Sequence, residues 1–428
     1  MLRRALDFGG SGATHVKVEL IPSRTVDLPG AWDRRPDGPE LAVEMRGTAS
    51  VNPRFEFLGL QQFPTIPAPY TTPGDLPWPG RTEPVVRSRM SDDDGAMPIL
   101  EPHHDFGHPV EVDAAWSESY YFNGFDPGTD SGLFTRIGIR PNEGTMDVGL
   151  SLWLPGDGLA EYRAVKEQRE MVETVLEVGD VRYEMLEPMR VWRLTFDGVA
   201  PVRVCTRGSV SGHEARIRLD LRFDSLTPAI GTDGQSSGSR SSGQSADAAG
   251  TTGKGHFEQA GNWTGWLEVD GRRLAWDGAL GNRDKSWGPR HWGGPTMWRW
   301  FSINVDRDLH FGGIRLGTDH GDLHRGWVCD SGRATSIAEW RLQTELADDE
   351  ISQKVVHLTV VDKQDREYPL TGEVLRVADI GHTTGTLINE GLTRWTYRDG
   401  DGASRTGTGI AEYLHQLDGG GRPVVPVD

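Results

Sequence analysis

The sequence predicts an all-β fold built from antiparallel sandwich or barrel domains. Apolar and polar residues alternate along many short segments, and turn signals such as Asp270-Gly271 and Asp399-Gly400 separate these segments. No glycine-rich dinucleotide-binding or phosphate-binding motif follows a predicted strand. Because alternation gives each strand one buried face and one solvated face, the pattern favours antiparallel sheets over a parallel sheet.

The clearest strands lie in the first half of the chain. Residues Ala215 to Asp224 alternate strictly, and the segment from Met146 to Leu154 carries an apolar residue at every second position. Further strands are predicted at 189–196, 298–305, 310–316, 354–361 and 368–377. Residues 160–175 are rich in Glu, Arg and Lys, and this composition favours a helix although the apolar spacing is irregular.

Two low-complexity regions divide the chain of 428 residues. Residues 1–98 are rich in Pro, Arg and Gly, so we expect either a disordered extension or a mis-assigned start, with Met90 as an alternative first residue. Residues 227–255 are rich in Gly and Ser and predict a disordered linker. The predicted β domains are therefore 99–226 and 256–420, with a short tail at 421–428.

Composition excludes several classes of function. The net charge of -18 argues against a nucleic-acid partner, because phosphate binding requires a basic surface. We expect no stable membrane insertion and no signal peptide, since neither a long apolar run nor a cleavable amino-terminal segment is present. A cytoplasmic enzyme or binding protein is the prediction that remains.

Metal chemistry is not expected. His103, His104 and His108 are close in sequence but lie in a Pro/Gly-rich segment that suits a solvated loop. Cys205 and Cys329 are far apart, which argues against a zinc site and against a disulfide framework. We predict no metal and no cofactor.

The segment from Trp276 to Trp300 is the most unusual part of the chain, because five tryptophans lie among glycines and charged residues. A carboxylate beside buried aromatic rings either meets a cation or has its pKa moved, and both outcomes are common at functional sites. Asp284 is therefore the leading catalytic candidate. The alternative is that Asp284, flanked by Arg283 and Lys285, belongs to an exposed charged turn.

Two further groups of residues share a strand face. His256 and Glu258 are two positions apart, so they point the same way and could transfer protons, or else lie on a solvated face beside the linker. Trp116, Glu118 and Tyr120 share another face. We expect Glu118 to be buried in an ion pair with Arg136 or Arg140, with a ligand contact as the second interpretation.

These motifs resemble those of a known superfamily. HFEQ at 256–259, WDGALGNRDKSWGPR at 276–290 and GIAEYL at 409–414 look like the carotenoid 1,2-hydratase (hydroxyneurosporene synthase) and AttH-like superfamily, and WSESYYF and RIGIRPNEG look like its amino-terminal domain. The resemblance implies two lipocalin-like antiparallel β-barrel domains packed together, with a ligand cavity at or near their interface. It also implies cofactor-free chemistry, including hydration and cyclisation.

The resemblance carries over residue by residue. In the carotenoid hydratases an aspartate within Tyr-x-Asp-His-Asn-Trp-Gly is thought to protonate an alkene, and Asp284, Trp287 and Gly288 match this segment. Asn282 stands where the family has tyrosine, and Glu258 stands where the family has tryptophan after a matching His256. These departures argue against a carotenoid substrate.

The resulting hypothesis is a hydratase, dehydratase or isomerase that acts on a hydrophobic isoprenoid or polycyclic small molecule. The predicted catalytic residues are Asp284, His256 and Glu258; if nearby cations keep Asp284 ionised, it acts as a base or orienting group and His256 with Glu258 transfers the proton. The predicted ligand contacts are Glu118, Tyr120, Asn282, Trp287, Arg290, Trp292, Trp298 and Trp300. The alternative is a non-catalytic protein that binds a lipid or hydrophobic metabolite.

Overall fold

The computed structural model describes residues 98–205, 209, 212–234, 253–290, 295–318, 321–381 and 385–428. The predictions for the N-terminal extension and for most of the Gly/Ser-rich linker fall outside these residues. In the described part the secondary structure consists of β-strands and one 3-10 turn at Pro102–Asp105, which confirms the predicted all-β class. No helix in this part has the length and apolar character needed to cross a bilayer.

The first barrel is built from strands that precede residue 290. Its strands are β1 Trp116–Asp126, β2 Ser131–Arg140, β3 Thr145–Trp153, β4 Gly158–Glu167, β5 Val175–Val178, β6 Val181–Glu187, β7 Val191–Val204, β8 His213–Ser225, β9 Ile230–Thr232, β10 Gly255–Val269 and β11 Arg272–Pro289. They form one antiparallel sheet in the order β4-β3-β2-β1-β11-β10-β8-β7-β6-β5, with β9 beside β10. A short pairing of β4 with β7 joins the sheet into a ring.

The second barrel contains the remaining strands. These are β12 Met297–Asn304, β13 Leu309–Thr318, β14 Gly321–Asp330, β15 Arg333–Leu346, β16 Gln353–Asp362, β17 Glu367–Gly381, β18 Thr386–Arg398 and β19 Ser404–Gln416. Each strand pairs with its neighbour in sequence, and β12 pairs with β19, so the barrel is closed.

The boundary between the barrels differs from the prediction. The second domain was expected to begin at residue 256, yet β10 pairs with β8 and β11 pairs with β1, so both strands complete the first barrel. Without them, β1 and β8 would be open sheet edges, which folded proteins avoid. The second barrel instead begins at Met297.

The helix favoured at 160–175 is also absent, because β4 occupies Gly158–Glu167. From Tyr162 to Glu167 this strand alternates between half-buried and exposed residues. Arg163 and Glu167 lie on the exposed face of this strand, where charged side chains remain solvated.

Alternation along the strands separates the three largest cores of the described residues. The inside of the first barrel holds residues such as Tyr120 and Phe122, and the inside of the second holds residues such as Phe301 and Tyr413. A third core lies between the outer walls of the barrels; it includes Tyr121, Phe134, Trp153, Trp298, Trp300 and Leu414. The barrels are therefore joined by an aromatic interface.

Candidate active site between the barrels

Strand β11 sorts its charged residues onto two faces. Asp284 lies opposite Tyr121 of β1 and opposite Glu258 of β10, and Tyr121 belongs to the core between the barrels. Arg283 and Lys285 are adjacent in sequence and point to the other face of the sheet. The flanking cations therefore do not neutralise Asp284, and the charged turn considered from the sequence is a continuous strand.

A second row of side chains faces this first row. Across the second barrel, Trp300 of β12 lies opposite Glu412 of β19, and Glu412 lies opposite Glu390 of β18. The Trp300 indole donates a hydrogen bond to Glu258 Oε1 at 2.7 Å, and the Tyr121 hydroxyl donates to Glu390 Oε2 at 3.3 Å. These bonds cross the interface, so the two rows are in contact.

His256 connects two carboxyl groups of the first barrel. Its Nε2 lies 3.4 Å from Asp284 Oδ2 and 3.6 Å from Glu258 Oε1. The side chain of His256 is 41% exposed, whereas Asp284 is 20% and Glu258 3% exposed. The imidazole thus stands between solvent and a buried carboxyl, and the structure brings the three predicted catalytic residues together.

Glu258 has an environment that changes its acidity. Two indoles donate to it: Trp300 to Oε1, and Trp327 to Oε2 at 3.0 Å. Burial raises the pKa of Glu258 to about 6, and the charge of Asp284 acts in the same direction, against the charge of His256 and the indole donors. Glu258 therefore exchanges its proton close to neutral pH.

The pKa of His256 is displaced upward. Burial opposes its charged form, but the hydrogen bond and charge of Asp284, together with the charge of Glu258, raise this pKa above its ordinary value. Arg290 lies at the edge of the group and donates to Ser286 Oγ at 2.9 Å. Burial lowers the pKa of Arg290 to about 10.

Glu390 and Glu412 were not predicted as site residues. Their carboxyl groups are hydrogen-bonded to each other, and Trp298 donates to Glu412 Oε1 at 2.5 Å. Burial and the charge of Glu412 raise the pKa of Glu390 well above its ordinary value, and burial also raises the pKa of Glu412. Glu412 lies within the GIAEYL segment. A glutamate among the apolar residues of this segment was the sequence feature that could have indicated a buried carboxyl. We call His256, Glu258, Asp284, Glu390 and Glu412 the inter-barrel cluster.

The other face of β11 carries buried ion pairs. Arg283 Nη2 lies 2.6 Å from Asp105 Oδ1, and Lys285 Nζ lies 2.6 Å from Glu118 Oε1, with all four side chains at most 1% exposed. Glu118 is thus buried in an ion pair as expected, although its partner is Lys285 and not Arg136 or Arg140. Lys285 and His108 hold the pKa of Glu118 below its ordinary value despite its burial.

The predicted ligand contacts are divided by these faces. Trp298 and Trp300 lie beside the inter-barrel cluster, whereas Tyr120 lies in the core of the first barrel and Trp287 stacks on His108 with ring centroids 3.8 Å apart. Asn282 accepts a hydrogen bond from Asn304 Nδ2 at 2.7 Å and so joins the two barrels. Trp292 lies outside the described residues.

The histidine-rich segment is packed and not a solvated loop. Asp105 is fully buried, and His108 Nδ1 lies 3.1 Å from Glu118 Oε1. His104 Nδ1 lies 3.2 Å from His108 Nε2. The segment therefore covers the buried ion pairs of the first barrel. No group of three or more His, Cys, Asp or Glu residues suited to a metal ion occurs in the described part of the chain.

A depression of about 450 Å³ lies elsewhere, on β15 to β18 of the second barrel. Its lining includes Arg341, His357, Thr359 and Arg398. Arg341 and His357 are already paired with glutamates there, at 2.7 Å in each case. The displaced pKa values and the convergent carboxyls make the inter-barrel cluster a stronger candidate site than this depression.

Three solved structures are similar to this chain. An AttH-type protein from Nitrosomonas europaea is 13% identical, matches 73% of this chain and 98% of its own, and has a TM-score of 0.50. Kievitone hydratase from Nectria haematococca is 14% identical over 75% of this chain and 94% of its own, with a TM-score of 0.49. CghA with Sch210972 is 13% identical over 71% and 89%, with a TM-score of 0.46.

At 13% identity, the likeness to the AttH-type protein shows a shared fold. None of the curated proteins matches the chain. Residues 101–417 match the model of a family described as a domain of unknown function, DUF7064. This match covers most of the chain, both barrels included, and the chain therefore belongs to the DUF7064 family.

Proposed function

We propose that this protein is a cofactor-independent hydratase, dehydratase or isomerase that acts on a hydrophobic small molecule at the inter-barrel cluster. The observation that supports it is the position of His256, 3.4 Å from Asp284 and 3.6 Å from Glu258 beside a wall of aromatic rings. An imidazole held between two carboxyls is suited to accept and return a proton. Tyr121, Trp298 and Trp300 supply the apolar surface that a hydrophobic substrate requires.

The geometry favours one of the two roles considered for Asp284. Asp284 orients the His256 imidazole and balances its charge, so His256 with Glu258 forms the proton-transfer pair. In a hydration, this group accepts the proton of the attacking water. Because Glu258 must be ionised for that role and has a pKa of about 6, turnover should rise as pH increases through this value.

The substrate class is part of the proposal. Asn282, which replaces the tyrosine of the carotenoid hydratases, is engaged with Asn304 of the second barrel. This departure favours an isoprenoid or polycyclic molecule other than a carotenoid. The net charge of -18 opposes a nucleic-acid partner, and the unpaired thiols of Cys205 and Cys329 support a cytoplasmic location.

The test is a screen of hydrophobic alkenes and alcohols in ¹⁸O-labelled water, with mass spectrometry of the products. Asp284→Asn should lower turnover about a hundredfold to ten-thousandfold, which is the usual contribution of positioned acid and base groups. Asp277→Asn is the matched control, because Asp277 is an exposed residue of the same strand. Full turnover in the Asp284 variant would refute the assignment. Tight binding of the screened compounds without conversion would favour the alternative, a non-catalytic protein that binds a hydrophobic metabolite.

A further inference from the structure

The carboxyl pair of the second barrel differs from the carboxyls that are buried on the other face of β11. Glu390 and Glu412 lie directly opposite each other on neighbouring strands and share a hydrogen bond. On the other face of β11 each of two buried carboxyls meets a cation: Asp105 meets Arg283, and Glu118 meets Lys285. Two carboxyls at hydrogen-bond distance cannot both ionise without strong repulsion.

The surroundings of the pair keep a proton in place. From the first barrel, Tyr121 donates to Glu390, and the negative charge of Asp284 acts on both carboxyls. Within the second barrel, Trp298 donates to Glu412. Arg290 acts on Glu412 as a cation, but more weakly than burial does. These neutral donors can satisfy oxygen atoms without removing the repulsion between two negative charges.

A second observation concerns a buried polar atom on the same face of β11 as Asp284. The Nδ2 atom of Asn282 is buried and makes no hydrogen bond within the described residues. Asn282 precedes Asp284 by two positions on the same strand, so both side chains belong to the same face. A buried donor without a partner is costly, and a substrate oxygen would satisfy it.

We propose that Glu390 and Glu412 hold one proton between them and form the acid side of the site, opposite the base side formed by His256, Asp284 and Glu258. This inference rests on the proposed function. Each barrel then supplies one half of the proton transfer, which gives the packing of the two barrels a catalytic role.

The reaction balances with these two halves. In hydration, the shared proton passes to one alkene carbon while the oxygen of water bonds to the other carbon. The proton released by that water passes to the His256 group, so an alkene and a water become an alcohol. The pair regains its proton and His256 returns its proton through exchange with solvent at its exposed side. Dehydration is the same sequence reversed.

Infrared spectroscopy of the full chain tests the shared proton without any substrate. The carboxylic-acid band is followed by difference spectra across pH, with deuterium exchange to assign it. We expect the wild type to keep a band that titrates well above the ordinary glutamic-acid range. In Glu412→Gln and in Glu390→Gln this band should disappear or titrate at lower pH, because the remaining carboxyl loses its charged neighbour.

Two variants serve as references for this experiment. Glu258→Gln should remove a separate component that titrates near pH 6 and leave the band of the pair in place. Glu373→Gln should change neither component, because Glu373 is exposed and paired with Arg394. Thermal melts and circular dichroism verify that each variant is folded. The inference is wrong if the wild type lacks the high-pH band, or if both pair substitutions leave it unchanged.

Turnover separates this inference from the proposed function. With a panel member that reacts, Glu412→Gln should lower turnover about a hundredfold or more and shift the alkaline limb of the pH profile. If the infrared band is present but no compound of the screen is converted, the proposed function is refuted and the shared proton stays established. The acid role of Glu390 and Glu412 would be refuted if both pair variants still convert the substrate and the alkaline limb of the pH profile is unchanged.

Discussion

The two faces of β11 bury charged groups in opposite ways. On the face toward the histidine-rich segment, Arg283 and Lys285 meet Asp105 and Glu118 at 2.6 Å. On the face toward the second barrel, Asp284 joins a group of carboxyls whose donors are His256, indoles and a phenol. One strand therefore has a compensated face, where each buried carboxyl has a cation as its partner, and an uncompensated face, where the carboxyls outnumber the cationic groups His256 and Arg290.

This difference separates structural from functional roles. Pairing with a cation favours the ionised form of a carboxyl, and the pKa of Glu118 lies below its ordinary value despite its burial. Burial beside other carboxyls does the reverse and brings the pKa of Glu258 to about 6. The charged residues flanking Asp284 in sequence are therefore bound in ion pairs, whereas its partners across the sheets are the residues that we propose to be reactive.

Breaking the compensated face should give the largest loss of stability. Among the described residues, Arg283→Met leaves the buried Asp105 with the Met189 amide at 2.6 Å and the Trp192 indole at 3.4 Å as its donors. We expect the free energy of unfolding to fall by about 3–5 kcal/mol in urea titrations followed by tryptophan fluorescence. The control, Arg222→Met, removes an exposed ion pair with Asp224 and should cost about 1 kcal/mol or less.

The companion variant isolates the cause of that loss. Asp105→Leu combined with Arg283→Met should recover a large part of the stability, because it removes the unpaired charge. Equal losses for Arg283→Met and Arg222→Met would show that the pair is not an essential part of the fold.

The uncompensated face should make the free energy of unfolding depend on pH. The pKa of Glu258 rises from 4.5 to about 6 on folding, so the native state binds this proton more tightly than the unfolded chain does. Its stabilising effect is complete below pH 4.5 and is lost as pH rises through about 6, a change of about 2 kcal/mol. Urea titrations of the wild type and Glu258→Gln across this range should therefore diverge. Parallel curves would contradict the raised pKa.

The smallest expected effect concerns the contact between the barrels. Tyr121→Phe removes the hydroxyl that donates to Glu390 at 3.3 Å and should cost about 1 kcal/mol in thermal or urea unfolding. It should also raise the pH at which the infrared band of the carboxyl pair titrates, because the ionised form loses a donor. Tyr183→Phe removes a hydroxyl that bonds Thr135 inside the first barrel, so it should cost a similar amount without moving that titration. If the band titrates at the same pH in Tyr121→Phe as in the wild type, the tyrosine does not stabilise the ionised form of the pair.

The sequence predicted strands best where alternation was strict. The segments around Ala215 to Asp224 and Met146 to Leu154 became β8 and β3. The helix favoured at 160–175 was wrong, because a charged segment with irregular apolar spacing does not distinguish helix from strand without its neighbours in the sheet. The assignment of β10 and β11 to the second domain failed for a related reason, since the linker before them suggested a boundary that hydrogen bonding to β1 and β8 overrides.

The site was predicted in part. His256 and Glu258 share a face because they are two residues apart in a strand, and Asp284 meets them because the register sets it opposite Glu258. Glu390 and Glu412 lie more than a hundred residues further along the chain, in the other barrel. Their approach depends on the packing of two closed barrels, which no local pattern encodes.

The sequence by itself determined the all-β class, the strand faces, and the identity of the first-barrel carboxyls and imidazole, because the two-residue period of a strand is local. Only the tertiary structure decided which charges are compensated. Arg283 and Lys285 turned away from Asp284 to buried partners, and the glutamate pair of the second barrel came to face it. Sheet register and barrel packing are long-range, and the acidity of a buried carboxyl depends on neighbours that only these contacts bring together.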